Sequence, residues 1–326
     1  MNRRRFILAC AAVASVTGSA ALRAQPRVPR IGVLTFANEV EFRPFFQAFR
    51  AGMAEHGYQD GKNVRFEHRY SGQNLEALAR NARELADAKV DLIWAPATVA
   101  VQAAQKATTT IPIVFALVSD PVVFGFVRSL AFPGANLTGI SLMAAEMAAK
   151  RLEILSEVFP SVRRIGVLSQ PGDAASSSHI PHIRKAAAAL GKEVLVVDAR
   201  SPDDFATAFA KLKEWRADAL VIPEASLYFF HIKSLIGAAT KNRWPTVNSA
   251  PQYADAGGVI SYGVDYLDNC RRSTEYVDRI LKGARPGDLP VQQPTKFDFV
   301  INLKAARQIG LTIPPAVLLR ADRVIK

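Results

Sequence analysis

Cysteine is scarce in this chain of 326 residues, which contains only Cys10 and Cys270. Cys10 falls in an N-terminal segment with the features of an export signal, so Cys270 would be the only cysteine of the mature protein. An oxidising compartment would then supply no intramolecular disulfide. Stability must come from packed cores, and the 49% hydrophobic composition suits two domains of about 120 to 150 residues each.

The motifs of common enzyme classes are also missing. The sequence has no Gly-x-Ser-x-Gly elbow, no phosphate-cradling Gly-rich loop and no Cys-x-x-Cys pair. His179 and His182 have a spacing that can suit a metal, but they stand in a Ser-rich stretch interrupted by Pro181, with no third ligand in view. We therefore predict a solvated loop there, with no metal and no cofactor.

Beyond the N-terminus, no apolar run is long enough to span a membrane. Residues 1–24 combine Arg3-Arg4-Arg5, an apolar stretch from Phe6 to Val16, and small residues ending at Leu22-Arg23-Ala24. The apolar stretch is shorter than the roughly 20 residues of a spanning helix. We predict an export signal that directs the chain to either the twin-arginine or the general secretory route and is removed near Gln25.

The chain is basic, but it has no basic arm. Removing residues 1–24 takes away four arginines and no acidic residue, which lowers the formal net charge from +12 to +8. The remaining Lys and Arg are interleaved with Asp and Glu, a pattern typical of solvated helix faces. Together with export, this pattern argues against nucleic acid as a partner.

A repeated segment indicates two similar lobes. Arg30-Ile31-Gly32-Val33-Leu34 recurs as Arg164-Ile165-Gly166-Val167-Leu168. Downstream, Asp91 to Pro96 resembles Asp218 to Pro223, in the same order and at nearly the same offset. Such Val/Ile/Leu runs are typical of buried parallel strands, and two lobes built alike imply a cleft between them.

The rest of the chain alternates short apolar strands with helical segments. This alternation favours an α/β fold with parallel sheets, in two Rossmann-like lobes joined by a multi-strand hinge. Helices are predicted over Phe45–His56, Ile183–Leu190 and Tyr266–Lys282, among others. We assign residues 26–142 and 266–290 to lobe I, and residues 143–265 and 291–326 to lobe II.

Ligands of open parallel sheets bind beyond the carboxyl ends of the strands, where helices begin. Several polar and aromatic residues fall at such ends, and each has a structural alternative. Thr98 could cap a helix or share its N-terminus with a ligand carboxylate, and Asp120 could cap the turn at Pro121 or pair with an amine. Asn248 could bind polar ligand atoms or act as an N-cap. Three aromatic residues could flank a ligand ring or pack in the core: Phe36, Tyr228 and Tyr262.

Longer strings then give a family resemblance. Thr109 to Phe115, Pro133 to Gly139, Ala256 to Gly263 and Leu289 to Phe297 resemble segments of the ABC-transporter substrate-binding proteins that include tryptophan- and tyrosine-binding receptors. The resemblance runs from about Arg30 to Ile325. It implies a type I periplasmic-binding-protein fold. Relatives often have a small Gly-Thr or Gly-Ser turn where this chain has Ala95-Pro96-Ala97-Thr98, a difference that would reshape the carboxylate side of the pocket.

The resemblance implies a monomeric periplasmic receptor that closes on a small solute and delivers it to an inner-membrane ABC permease with a separate ATPase. No catalytic residues are then expected. For an aromatic amino acid or related acid, we place the carboxylate at Thr98 and any amine at Asp120. The ring would lie among Phe36, Tyr228 and Tyr262. A sensory module that signals to a receptor kinase stays open as an alternative, and a periplasmic enzyme is a weaker one.

Overall fold

The computed structural model describes residues 27–294 and 296–326, so the predicted export signal, residues 1–24, lies outside the described residues. The strands are β1 (Arg30–Thr35), β2 (Arg65–Tyr70), β3 (Leu92–Trp94), β4 (Ile113–Val118), β5 (Leu137–Ser141), β6 (Arg164–Ser169), β7 (Glu193–Asp198), β8 (Ala219–Val221), β9 (Val247–Asn248), β10 (Ile260–Gly263), β11 (Asp298–Asn302) and β12 (Arg323–Ile325). The helices are α1 (Glu39–Glu55), α2 (Leu75–Asp87), α3 (Thr98–Ala107), α4 (Ala144–Val158), α5 (Ala174–Ala189), α6 (Phe205–Glu214), α7 (Ser226–Phe230), α8 (Ile232–Lys241), α9 (Pro251–Asp255), α10 (Tyr266–Arg272), α11 (Thr274–Leu281), α12 (Leu303–Gln308) and α13 (Pro315–Leu318). None of these helices combines the length and apolarity needed to cross a bilayer.

Lobe I is built on a five-stranded parallel sheet in the order β2-β1-β3-β4-β5. Its central strands are apolar and buried on both faces, as expected for a parallel sheet covered by helices. On one face, the Trp94 ring stacks on Phe49 of α1 with 3.9 Å between ring centroids. Helices α2 and α3 pack against each other and the sheet through a separate apolar cluster that includes Leu85.

Lobe II continues the same scheme over more strands. Three strands lie in the order β7-β6-β8, and four more lie in the order β9-β10-β11-β12. A β-bridge between Leu220 and Thr246 joins the two sets of strands. All neighbouring strands are parallel except β10 and β11, which are antiparallel. The exception arises because the chain leaves lobe II after β10 and returns from lobe I to form β11.

The repeated pentapeptide forms the same structure in both lobes. Gly32 lies on β1 and Gly166 on β6, where a Cβ atom would stand 2.9 Å from Leu85 Cδ2 and 2.8 Å from Leu212 Cδ2, respectively. A carboxylate also receives the first backbone N–H of each strand, at 2.7 Å in lobe I and 2.8 Å in lobe II. Glycine leaves room for a buried leucine of the covering helix in both lobes, and the prediction of two similarly built lobes is confirmed.

The described chain passes between the lobes at three places. Residues 142–143 lead from β5 to α4, residues 264–265 from β10 to α10, and residues 293–294 and 296–297 lie between the lobe I segment and β11. Gln292 lies beside β5, where its carbonyl accepts the Ser141 N–H at 2.9 Å. Helix α10 packs on α1 and β4 of lobe I. The residues at which the lobes divide stay a prediction, since only the packing of each segment is observed.

Three helix predictions differ from the structure. Helix α1 begins at Glu39 rather than Phe45, because Asn38 and Glu41 form a capping box ahead of the apolar face. Helix α5 begins at Ala174 rather than Ile183, because Asp173 caps it and Pro181 is accommodated inside it. The segment predicted as one helix over Tyr266–Lys282 is divided at Ser273.

Candidate functional site

A cavity of about 80 Å³ lies between the lobes, at the carboxyl ends of strands from both sheets. Lobe I contributes the segments that follow β1, β3, β4 and β5, and lobe II contributes those that follow β6 and β8. The residues that line it are mostly apolar, with aromatic rings the largest group: Phe36, Phe42, Phe45, Phe229, Phe230, Tyr253 and Tyr266. This is the position at which open parallel sheets bind their ligands.

The lobes touch each other beside this cavity. Phe45 of lobe I meets Phe229 of lobe II edge-on, with 5.6 Å between ring centroids. His231 Nε2 lies 3.2 Å from Gln73 Oε1, and Gln73 Nε2 donates a 2.9 Å hydrogen bond to Glu41 on α1. Because Glu41 fixes the orientation of the amide, His231 Nε2 is the donor to Gln73. The structure therefore has its lobes in contact around the cavity.

The start of α3 forms one polar wall of the cavity. Thr98 is the first helical residue and Ala97 is the N-cap, which has no side chain to bond the free N–H groups of the first turn. The Thr98 hydroxyl accepts the Ser119 N–H at 3.4 Å, so it braces the end of β4 instead of capping its own helix. A helix N-terminus without a side-chain cap can receive an anionic group.

Two buried carboxyl groups form the opposite wall. Glu224 follows β8, and its Oε1 lies 2.7 Å from Arg151 Nη1 while its Oε2 lies 3.0 Å from His179 Nδ1. Burial alone would raise the pKa of Glu224, but the charges of Arg151 and His179 outweigh it and lower the pKa to about 2. Glu224 is therefore ionised at neutral pH, and Arg151 balances its charge.

Asp173 differs from Glu224 in its partners. Its Oδ1 accepts the Ser176 N–H at 3.0 Å and caps α5, but Asp173 takes part in no ion pair among the described residues. Burial raises the pKa of its carboxyl, and the backbone N–H groups of Ser176 and Ala175 and the charge of His179 offset this only in part. Asp173 is thus a buried acid, 4% exposed, that lines the cavity.

His179 corrects one sequence prediction. The stretch around it is a helix and not a solvated loop, and the ring is fully buried against Glu224. In the part of the chain that the structure describes, no group of three or more His, Cys, Asp or Glu side chains could hold a metal ion.

Of the six residues singled out from the sequence, the structure places Phe36 and Thr98 in the lining of the cavity. Asp120 lies outside it, because its Oδ1 accepts the N–H groups of Val122 at 3.1 Å and Val123 at 3.0 Å. This is the capping role considered as the alternative. Tyr228 is fully buried, and its hydroxyl donates a 3.0 Å hydrogen bond to the Ala199 carbonyl, so its ring belongs to the core of lobe II.

The remaining two residues also lie outside the lining. Asn248 is fully buried on β9, opposite Ser261 of β10, and does not cap α9, whose N-cap is Ala250. The Tyr262 ring packs against Phe297 and Phe299 with centroid distances of 6.0 and 5.9 Å. Tyr262 still contributes to the site indirectly, because its carbonyl accepts a 2.8 Å hydrogen bond from Arg151 Nε.

Sequence reasoning missed most of the polar wall. Glu224 stands directly beyond β8, so the strand-end rule that led to Thr98 could also have found it. Asp173 was not identified because the Ser-rich segment after it was not predicted to be a helix. Arg151 gave no signal, since a single arginine in the middle of a helix is most often on the surface, whereas this one is 5% exposed.

The fold and the interlobe cavity define the class of type I periplasmic binding proteins. Residues 30–325 match the family model of ABC transporter substrate-binding proteins, and the chain belongs to this family. Its members bind substrates for transporters and are not enzymes.

Similar proteins agree with this assignment. A tyrosine-binding protein of Clostridioides difficile is 27% identical over 283 residues, which are 86% of this chain and 81% of that protein. A conserved domain protein of Vibrio cholerae is 32% identical with a TM-score of 0.86, over 91% of this chain and all of the other. A Streptococcus pneumoniae ABC domain in complex with L-Trp is 27% identical with a TM-score of 0.85, over 91% of this chain and 99% of the other.

Proposed function

We propose that this chain is the periplasmic solute receptor of an ABC importer, and that it captures an aromatic amino acid or a related aromatic acid by closing its two lobes. The observation that carries the proposal is the ring of aromatic side chains contributed by both lobes to one cavity at the strand ends. Relatives described as tyrosine-binding and as bound to L-Trp support an aromatic solute.

The apolar lining accounts for the affinity for a ring. Burying roughly 200 Å² of aromatic surface at about 25 cal/mol per Å² contributes on the order of 5 kcal/mol before the costs of binding. Phe36, Phe42 and Phe45 on lobe I line the same cavity as Phe229 and Tyr253 on lobe II. A flat solute fits between them better than a sugar, which needs hydrogen-bonding groups on all sides.

Closure follows from the contacts between the lobes. A solute shifts the balance between open and closed forms only if it binds the closed form more tightly. Phe45 and Phe229 meet across the two lobes, so a ring enclosed beside them would gain contacts with both lobes at once. Three chain crossings would permit bending at residues 142–143, at residues 264–265 and in the segment just before β11 without separating the lobes.

In this role the closed receptor would dock on an inner-membrane permease, and a separate ATPase would drive transport. We propose a monomer, exported by the signal predicted in residues 1–24.

The proposal is tested by a thermal-shift screen of the purified protein. The panel contains L-Phe, L-Tyr, L-Trp, their analogues without the α-amino group, L-Leu and glucose. A ligand at about 100 times its Kd stabilises the native state by roughly 2.7 kcal/mol, so at least one aromatic compound should raise the melting temperature by several degrees. No shift with any aromatic compound would reject the proposal.

A pair of variants locates the binding site. Phe229→Leu removes a ring that contacts Phe45 and Tyr266 in the cavity, and it should weaken aromatic binding about tenfold, the equivalent of roughly 1.4 kcal/mol. Phe132→Leu is the matched control, because Phe132 is 73% exposed and lies outside the cavity. Equal affinities in the two variants would place the binding site elsewhere.

A further inference from the structure

A groove of about 430 Å³ lies on lobe II beside α8. Lys233, Gly237 and Lys241 of this helix line it, because residues four apart share one face of a helix. The segment after α8, the turn between α9 and β10, and the end of α12 contribute further lining residues, among them Arg243, Gly257 and Gln308. The volume falls in the range of small-molecule sites.

The groove is separate from the cavity between the lobes. Arg243 precedes β9 and Gly257 precedes β10, and these two strands are parallel. This part of the groove therefore lies at the amino ends of the strands, whereas the interlobe cavity lies at carboxyl ends. No described residue lines both, so a ligand in the groove need not compete with a solute in the cavity.

The charged side chains of the groove are all basic. Lys233, Lys241 and Arg243 line it, and no Asp or Glu stands among the lining residues that the structure describes. Asp255 adjoins the lining residue Ala256, but its carboxylate lies 2.8 Å from Arg323 Nη2. The positive charge of the groove is therefore not balanced by an acid of its own lining.

Helix stability explains only part of this arrangement. Lys241 and Arg243 stand at the C-terminal end of α8, where the helix dipole favours a cation. Lys233 stands in the first turn, where the dipole disfavours one, and it takes part in no ion pair within residues 27–294 and 296–326. An anion bound in the groove would compensate for the position of Lys233.

Gly237 keeps the space between the two lysines open. It is an exposed residue inside α8, and no atom lies within 4 Å of the position that its Cβ would take. Packing therefore does not require glycine here, although glycine is less stable than alanine inside a helix. A side chain at this position would extend into the groove.

The spacing of the lysines indicates the size of the ligand. Lys233 and Lys241 lie in the first and last turns of α8, which places them about 12 Å apart along the helix axis. One compact anion cannot lie beside both positions, whereas a longer molecule with phosphate groups at two points can pair with both ammonium groups. Arg243 would add a guanidinium, whose fork of N–H groups matches phosphate oxygens.

From these observations we infer that the groove along α8 is a binding site for a ligand with two or more phosphate groups. The inference does not depend on the solute that the interlobe cavity binds. Two sources share this chemistry, a soluble oligophosphate and the headgroups of an anionic phospholipid surface, and the two arms of the test distinguish them.

The first arm is calorimetric titration of the purified protein with inorganic tripolyphosphate. The second is co-sedimentation with vesicles of phosphatidylglycerol and phosphatidylcholine, compared with vesicles of phosphatidylcholine alone. Both are done at low ionic strength, where exposed charges are least screened. The wild-type protein should bind tripolyphosphate at one site per chain or sediment with the anionic vesicles alone, and the probe that binds identifies the source of the phosphate groups.

The double variant Lys233→Gln with Lys241→Gln assigns the binding to the groove. Both side chains are exposed, so the variant should fold as the wild type does, and it should bind the probe about tenfold or more weakly because two charge-assisted contacts are lost. Lys211→Gln with Lys213→Gln is the matched control. It removes the same charge from two exposed lysines of α6 that lie outside the groove, and it should change the affinity less than about twofold.

The control separates a site from the attraction of a basic protein for any anion. A loss confined to the α8 variant supports the inference with either probe. Equal losses in the two double variants, or a wild-type protein that binds neither probe, would overturn it and leave the proposed function standing.

Discussion

The buried pair of Arg151 and Glu224 allows a sharp prediction about stability. Arg151 is 5% exposed and Glu224 is 8% exposed, and the guanidinium is the closest cation to the carboxylate at 2.7 Å. Replacing Arg151 with Met keeps most of the side-chain volume but leaves a buried anion without its main partner. Breaking a buried ion pair in this way costs about 3–5 kcal/mol.

For domains of this size, a loss of 1 kcal/mol in stability corresponds to a fall of roughly 2–4 °C in melting temperature. Arg151→Met should therefore lower the melting temperature by about 10 °C. The double variant Arg151→Met with Glu224→Gln removes the orphan charge and should recover at least half of the loss. Scanning calorimetry without ligand measures both effects, and the double-mutant cycle gives the coupling between the two residues. A fall of less than about 2 °C in the single variant, or no recovery in the double variant, would refute the reasoning.

Three further predictions concern closure, packing and pH. Gln73→Met should speed release of an aromatic ligand about two- to tenfold in stopped-flow measurements, since a hydrogen bond contributes roughly 0.5–1.5 kcal/mol. The control Gln105→Met, which loses a hydrogen bond within lobe I, should not change the release rate. Equal release rates from the two variants would argue against the interlobe contact. Gly166→Ala should destabilise the protein by about 1–3 kcal/mol through overpacking on Leu212. Gly237→Ala, with open space around residue 237, should instead stabilise the protein by about 0.5–1 kcal/mol. Changes of the same sign in the free energy of unfolding, measured with denaturant, would contradict the account. Asp173 lies near His179 and lines the same cavity as Glu224, and burial raises the pKa of its carboxyl. The folded state therefore holds the proton more tightly than the unfolded state, and ligand-free stability falls as pH rises from the ordinary carboxyl pKa to the raised one. The melting temperature of Asp173→Asn without ligand should therefore exceed that of the wild type at about pH 8 and approach it near pH 4, and a variant less stable than the wild type at both pH values would disprove the assignment.

The architecture could be predicted from the sequence because its signals are local. The repeated Arg-Ile-Gly-Val-Leu segment forms the first strand of each lobe, and its glycine lies against a leucine of a covering helix. Strand ends also follow from apolar runs, and two of the residues chosen at strand ends, Phe36 and Thr98, line the cavity. Each of these features depends on a few residues that are neighbours in the sequence, so the sequence alone is enough to predict it.

The polar wall could not be predicted in the same way, because it depends on contacts between distant residues. Arg151 and Glu224 are 73 positions apart in the sequence and meet only after α4 packs against β9 and β10. The choice between cap and ligand was also open from the sequence, because Asp120 and Asp173 both follow strands and both cap backbone N–H groups. Only the fold shows that Asp120 caps a turn outside the cavity, whereas Asp173 lines the cavity.

Small-angle X-ray scattering with and without a saturating aromatic amino acid tests the central claim most directly. If two lobes close on a solute held between them, the radius of gyration should fall when the ligand is added and should not fall with glucose. A bound aromatic amino acid that leaves the scattering curve unchanged would contradict capture by closure of the lobes.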